Sequence, residues 1–156
     1  MMVKQSERKA RMKRRIADVE YEQMMLSRYT IAQQRQAGGL DRSVYLLMSR
    51  IDSQGPMSIA ELSHALRLDS STLQRQVTVA IKDGFLERIV DPQGNAARKI
   101  TVTARGSEKL AEARAISINA LEHIMGDWND EEVEQFAKFL NRFNNAIEEY
   151  SDSKQG

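Results

Sequence analysis

The sequence predicts a mainly α-helical chain with a small β-hairpin wing: a winged helix-turn-helix with N- and C-terminal dimerisation helices. Three observations lead there. Only two prolines, Pro56 and Pro92, fall within 156 residues, so little in the chain forbids helix. Apolar side chains recur at intervals of three and four in segment after segment. That period changes after Asp83-Gly84, where two short β-prone runs flank a cluster of turn formers.

From about Ile16 to Gln36 good helix formers run to a stop at Gly38-Gly39. Asp41 is placed to cap a second helix striped by Val44, Leu47, Met48 and Ile51, which Gln54-Gly55-Pro56 ends. Ser58 opens a third helix. Glu61, three positions on, completes a capping box, and Ile59, Leu62 and Leu66 form the buried stripe. After a short turn, Asp69 or Ser70 caps a fourth helix reaching about Lys82, closed by Asp83-Gly84 through a left-handed residue. Phe85 to Val90 and Lys99 to Thr103 then read as strands, with Ile100 and Val102 alternating against polar neighbours. Asp91-Pro92-Gln93-Gly94-Asn95 between them makes a hairpin with a protruding tip. A long helix follows from Arg105 to about Met125. Asn129 to Glu132 is a second capping box; it opens a last helix striped by Val133, Phe136, Ala137, Leu140, Phe143 and Ile147.

Composition excludes several function classes. The chain has no cysteine, which removes disulfides, thiolate metal sites and thiol catalysis. His64 and His123 are its only histidines; each reads as a surface or partly buried side chain, and two imidazoles without carboxylates do not complete a zinc site. No phosphate-cradling glycine loop and no Ser-His-Asp set can be placed. No enzymatic activity, cofactor or metal is therefore expected. The longest apolar run is far short of the roughly 20 residues that cross a bilayer. No apolar stretch follows the basic N-terminus, so no secretory signal and no membrane partner are expected, and the expected location is cytoplasmic.

Charge is unevenly spread. Residues 1–50 carry 11 basic and 5 acidic side chains, whereas residues 104–156 carry 6 basic and 11 acidic ones. Screening confines each patch to about a Debye length, ~8–10 Å, so a near-neutral chain can still hold a polyanion on one face. A solvated basic tail and an acidic last helix explain the same numbers.

The informative segment is residues 59–89, IAELSHALRLDSSTLQRQVTVAIKDGFLERI. Two short helices, a tight turn and a following hairpin make the winged helix-turn-helix. In the second of these helices Leu73, Val77, Ala80 and Ile81 point inward. Ser71, Gln74, Arg75, Thr78 and Lys82 fall on the other side at i, i+3, i+4, i+7 and i+11. Gln and Arg can make bidentate bonds to base edges, and Ser, Thr and Lys suit phosphates. Between Ser70 and Lys82 there is no carboxylate, which favours double-stranded DNA as the partner. The competing reading is an ordinary polar helix face on a protein-contact module.

The stretches LDRSVYLLMSRI (40–51), IAELSHALRLDSSTLQRQV (59–77), DGFLERIVDPQGN (83–95) and ITVTARG (100–106), in this order, resemble the MarR family of bacterial transcription regulators. The resemblance spans about residues 16–150. It implies a homodimer built from the first, fifth and sixth helices, with each fourth helix in a major groove and each hairpin tip beside or in the minor groove. It also implies, as in many members, release of DNA by a small phenolic or lipophilic molecule. The resulting DNA-binding candidates are Ser70, Ser71, Thr72, Gln74, Arg75, Thr78, Lys82, Asn95 and Arg98, with repression as the expected outcome.

Two positions depart from the family pattern. Arginines usually follow the Asp-Pro turn, and here Asn95 and Ala96 stand there; either Arg98 or Lys99 reaches the phosphates, or the wing reads weakly. The turn before the fourth helix commonly holds glycine, and here it is Arg67-Leu68. A left-handed non-glycine residue at that point costs about 1 kcal/mol.

The expected organisation is a basic N-terminal extension at 1–15, a dimerisation helix at 16–39, the winged helix-turn-helix at 40–104 and dimerisation helices at 105–156. Independently of the resemblance, the apolar stripes at the two ends (Ile16, Val19, Met24, Leu26 and Tyr29; Phe136, Leu140, Phe143 and Ile147) exceed what a small winged-helix core covers. A symmetry mate or a self-contained helical subdomain would bury them. Lys4, Arg8, Arg11 and Arg15 share a face if the first helix extends back, as a phosphate clamp; otherwise they belong to a solvated tail. For a small aromatic or phenolic effector the candidates are Tyr21, Arg28, Tyr29, Tyr45 and His123, each of which also suits a structural role.

Overall fold

The computed structural model describes the backbone of residues 2–33 and 39–153 and the side chains of 5–29 and 39–153. The expected helix end at Gln36-Gly38 and the side chain of Lys4 lie outside these. Among the described residues six helices and two strands follow in order: α1 (Met2–Gln33), α2 (Arg42–Gln54), α3 (Ile59–Leu66), α4 (Ser70–Lys82), β1 (Leu86–Val90), β2 (Arg98–Val102), α5 (Ala104–Ile124) and α6 (Asp130–Ser153). They divide into two compact units, Met1–Ile116 and Ser117–Gly156.

The helix starting near Ile16 in the sequence reading begins at Met2 instead. Nothing between these positions breaks a helix: residues 2–15 contain no Gly or Pro and are rich in Lys, Arg, Glu and Gln.

The core of the first unit is made by the stripes that periodicity marks. Leu47 and Met48 of α2, Leu62 of α3, and Leu73, Val77 and Ala80 of α4 are fully buried with Ile100, while Leu86 and Leu110 are nearly so. Ile59, Leu66 and Ile81 are only partly covered. The strands pair antiparallel with Leu86 opposite Val102 and Arg88 opposite Ile100. Met57 adds a bridge to Ile100, its N–H donating to the Ile100 carbonyl at 3.1 Å and its carbonyl accepting from the Ile100 N–H at 2.7 Å. The wing is thereby anchored to the segment before α3.

The helix ends use the expected residues. Asp41 accepts from the Ser43 N–H at 2.8 Å, and Ser58 and Glu61 form the reciprocal box. Asp69, rather than Ser70, caps α4. Arg67 is left-handed at φ 55° and ψ 38°, the strained turn position that the missing glycine implies. Gly84 is also left-handed at φ 80°, and the Phe85 N–H behind it donates to the Ala80 carbonyl at 2.9 Å, closing α4.

In the second unit Asn129 and Glu132 cap α6 reciprocally at 2.9 Å. Trp128 meets Phe136 edge-to-face with centroids 5.4 Å apart. No described residue of α6 is buried.

Candidate nucleic-acid interface

The wing and α4 are held as one body. Leu73, Val77 and Ala80 lock α4 into the core, which leaves Ser70, Ser71, Gln74, Arg75, Thr78 and Lys82 exposed and Thr72 half-buried. The side chains of Gln74, Arg75 and Lys82 make no hydrogen bond or ion pair among the described residues. With the Ser70 hydroxyl, likewise unbonded, they are donors on this face free to engage a ligand.

The hydroxyls are committed differently. Ser71 and Thr72 both donate to Asp69, the Thr72 hydroxyl at 2.6 Å, and the Thr72 N–H adds a third bond at 2.8 Å. Thr78 donates to the Gln74 carbonyl at 2.8 Å. A hydroxyl whose proton is used retains only acceptor lone pairs. Ser71 and Thr72 can donate to a phosphate only by leaving Asp69, and the Asp69 charge itself opposes an anion at this helix end. An acid count that starts at Ser70 misses this by one residue.

Val79 was also missed. It is 53% exposed, four residues after Arg75, and an apolar group there suits a thymine methyl. Its signal was present, since it falls outside the inward set Leu73, Val77, Ala80 and Ile81.

At the wing tip Asn95 and Arg98 are both exposed. The Asn95 amide donates to Asp91 Oδ2 at 2.8 Å, and the Gln93 N–H donates to Asp91 Oδ1 at 2.9 Å. Asn95 thus closes the tip. Lys99 turns inward, with Nζ 3.4 Å from Glu61 Oε1 and 3.9 Å from Asp91 Oδ2, and its side chain is 16% exposed. Of the two cations considered for phosphate contact, Arg98 is the one left facing outward.

Asp41, Glu61, Asp69 and Asp91 are each held below their ordinary range. The Ser71 hydroxyl is the largest cause at Asp69 and the Ser43 hydroxyl at Asp41. The Ser58 N–H is the largest cause at Glu61 and the Gln93 N–H at Asp91. Groups depressed on folding stabilise fully above their unfolded values and lose that contribution as pH falls through the folded ones. Thermal stability is therefore expected to be level above about pH 5 and to fall progressively below about pH 4. Circular-dichroism melts across this range check it, with Asp69→Asn flattening the acid limb; a limb that the variant leaves unchanged contradicts the assignment.

The effector candidates are divided between the two units. Tyr21 and Arg28 are exposed, Tyr29 and Tyr45 half-buried, and Tyr45 packs on the core of the first unit. His123 belongs to the second unit, where its Nδ1 lies 2.8 Å from the Asn119 carbonyl. A shallow hollow of about 370 Å³ beside α4 is lined instead by Asp41, Ser43, Thr72, Arg75, Gln76 and Val79. Among the described residues no group of three or more His, Cys, Asp or Glu could hold a metal ion. Among the described residues no helix is long and apolar enough to cross a membrane.

Comparison with known proteins agrees with this geometry. The MarR family pattern matches residues 40–94. The uncharacterized HTH-type transcriptional regulator YxaD of Bacillus subtilis (strain 168) is 30% identical over 132 residues, covering 83% of this chain and 92% of that protein. The HTH-type transcriptional regulator BilQ of Clostridioides difficile (strain CD3) is 25% identical over 65% of this chain and 68% of its own length. Among solved structures, a MarR family protein from Bacillus stearothermophilus superposes with a TM-score of 0.65 at 20% identity, over 84% of this chain and 96% of that one. Apo MarR from E. coli gives 0.60 at 13% identity, over 77% and 94%. The six helices and two-stranded wing are thus the MarR winged-helix fold, and the chain belongs to the MarR family of DNA-binding helix-turn-helix transcription regulators.

Proposed function

We propose that the chain is a cytoplasmic homodimeric repressor that binds a pseudo-palindromic operator and is released by a small aromatic acid. The observation that carries the DNA contact is the exposed face of α4, where Gln74, Arg75 and Lys82 are unengaged on a helix locked by buried Leu73, Val77 and Ala80. In this reading Gln74 and Arg75 meet base edges. Lys82 and Arg98 hold phosphates, and Ser70, Ser71, Thr72, Thr78 and Asn95 shape the surface between them. Residues 40–104 serve as the DNA-binding region, and 16–39 with 105–156 as the dimerisation region. Release by an effector is assigned in this reading to Tyr21, Arg28, Tyr29, Tyr45 and His123.

The test is a mobility-shift titration on the chain's own upstream region, at two salt concentrations, with wild type and Arg75→Ala. The variant is expected to lose about 1–3 kcal/mol on the specific duplex and little on random duplex. Equal loss on both assigns Arg75 to the backbone instead. No binding by the wild type at low salt rejects the reading.

A further inference from the structure

We propose that the N-terminal arm of α1 is a second phosphate-binding surface, by which the protein grips duplex DNA beyond the footprint of α4 and the wing. The inference rests on the DNA-binding reading above and extends it to residues outside the matched family pattern at 40–94. Residues 1–15 carry seven basic side chains and one acid, Glu7. They are not a tail but the first turns of a continuous helix that begins at Met2. On a helix, Arg8, Arg11 and Arg15 fall in one row with Arg14 on its flank. The four line one open hollow of about 560 Å³ with Glu7, all are exposed, and among the described residues no ion pair joins them to Glu7 or Asp18. The same row turns acidic afterwards at Asp18 and Glu22, so the positive surface is confined to about 10 Å of helix from Arg8 to Arg15. A compact row of unneutralised, preordered guanidinium groups is suited to adjacent phosphates.

Two other occupants fit less well. The acids Glu131, Glu134, Glu149 and Asp152 of α6 lie on the side of that helix opposite Phe136 and Phe143, away from the apolar face a second copy would cover. An anionic membrane surface needs large apolar anchors beside the charges, and residues 1–15 contain no Trp, Phe or Leu.

The experiment compares the full chain with Arg8→Gln/Arg11→Gln/Arg14→Gln/Arg15→Gln, since glutamine preserves the helix. Affinity is measured against salt on a short random duplex and on one extended at both ends. For the wild type, extension should tighten binding beyond the statistical gain that the added registers of a longer random duplex give any binder. For the variant it should not, and the slope of log K against log salt should fall by about 2 or more, at about 0.9 per lost phosphate contact. An unchanged slope with an unchanged length effect overturns the arm. If the variant keeps the wild-type slope and length effect while Arg75→Ala weakens the specific duplex, the arm is overturned and the α4 reading stays intact. Cosedimentation with phosphatidylserine vesicles that the variant loses, with DNA slopes equal, assigns the arm to a membrane surface and also overturns it. Failure of both proteins to bind any duplex rejects the DNA reading itself.

Discussion

Gly106→Ala is expected to lower the stability of the first unit by about 2 kcal/mol or more, a fall of about 5–10 °C in Tm. A Cβ at this position would stand 2.1 Å from the Phe85 carbonyl oxygen and 2.9 Å from both the Phe85 carbonyl carbon and Val102 Cγ1. The obstacle is backbone, which cannot rotate aside. Thr103 adds to the constraint. Its hydroxyl accepts from the Gly106 N–H at 3.0 Å and donates to the Gly84 carbonyl at 2.6 Å, so the start of α5 is tied to the base of the wing. Alanine favours a helix over glycine by only about 1 kcal/mol, which does not offset the overlap. Gly126→Ala is the control, because its Cβ meets nothing nearer than 3.4 Å and its melt should stay close to wild type. Equal melts for the two variants contradict the packing described here.

Placing charge on the apolar face of α6 is expected to have the largest effect on function. Phe136 is 40%, Phe139 64% and Phe143 41% exposed, and contiguous exposed apolar surface of this kind marks an interaction site. The double variant Leu140→Glu/Phe143→Glu should sediment as a monomer at concentrations where the wild type is a dimer. Its affinity for a two-half-site duplex should drop by about 100-fold or more, because linked binding of the second half-site is lost. A dimer that survives both charges places the twofold interface elsewhere.

Local chemistry was legible in the sequence, and non-local chemistry was not. The caps at Asp41, Ser58 and Asn129 depend on residues two or three apart, and the stripes of α2 and α4 depend on period alone; both read directly. The strain at Arg67 followed from the absence of a glycine. The start of α1 at Met2 rather than near Ile16 is less legible, because a run of like charges suits a solvated tail as well as a helix and no residue there interrupts either. The inward turn of Lys99 toward Glu61 spans 38 positions, and the contact of Gly106 with Phe85 crosses the wing. Neither leaves a periodic trace. Asp69 is one of two cap positions that the sequence leaves open, and its bonds to the Ser71 and Thr72 hydroxyls two and three residues on are local enough to follow from the same spacing.

The proposed repressor places α4 of two protomers in successive major grooves on one side of a duplex. In-vitro selection of DNA bound by the full chain tests this most directly. Selected sequences should converge on an inverted repeat with half-sites one helical turn apart, ~34–36 Å, and Arg75→Ala should relax one base position in each half. Convergence on a single unrepeated half-site, or no convergence at low salt, contradicts it.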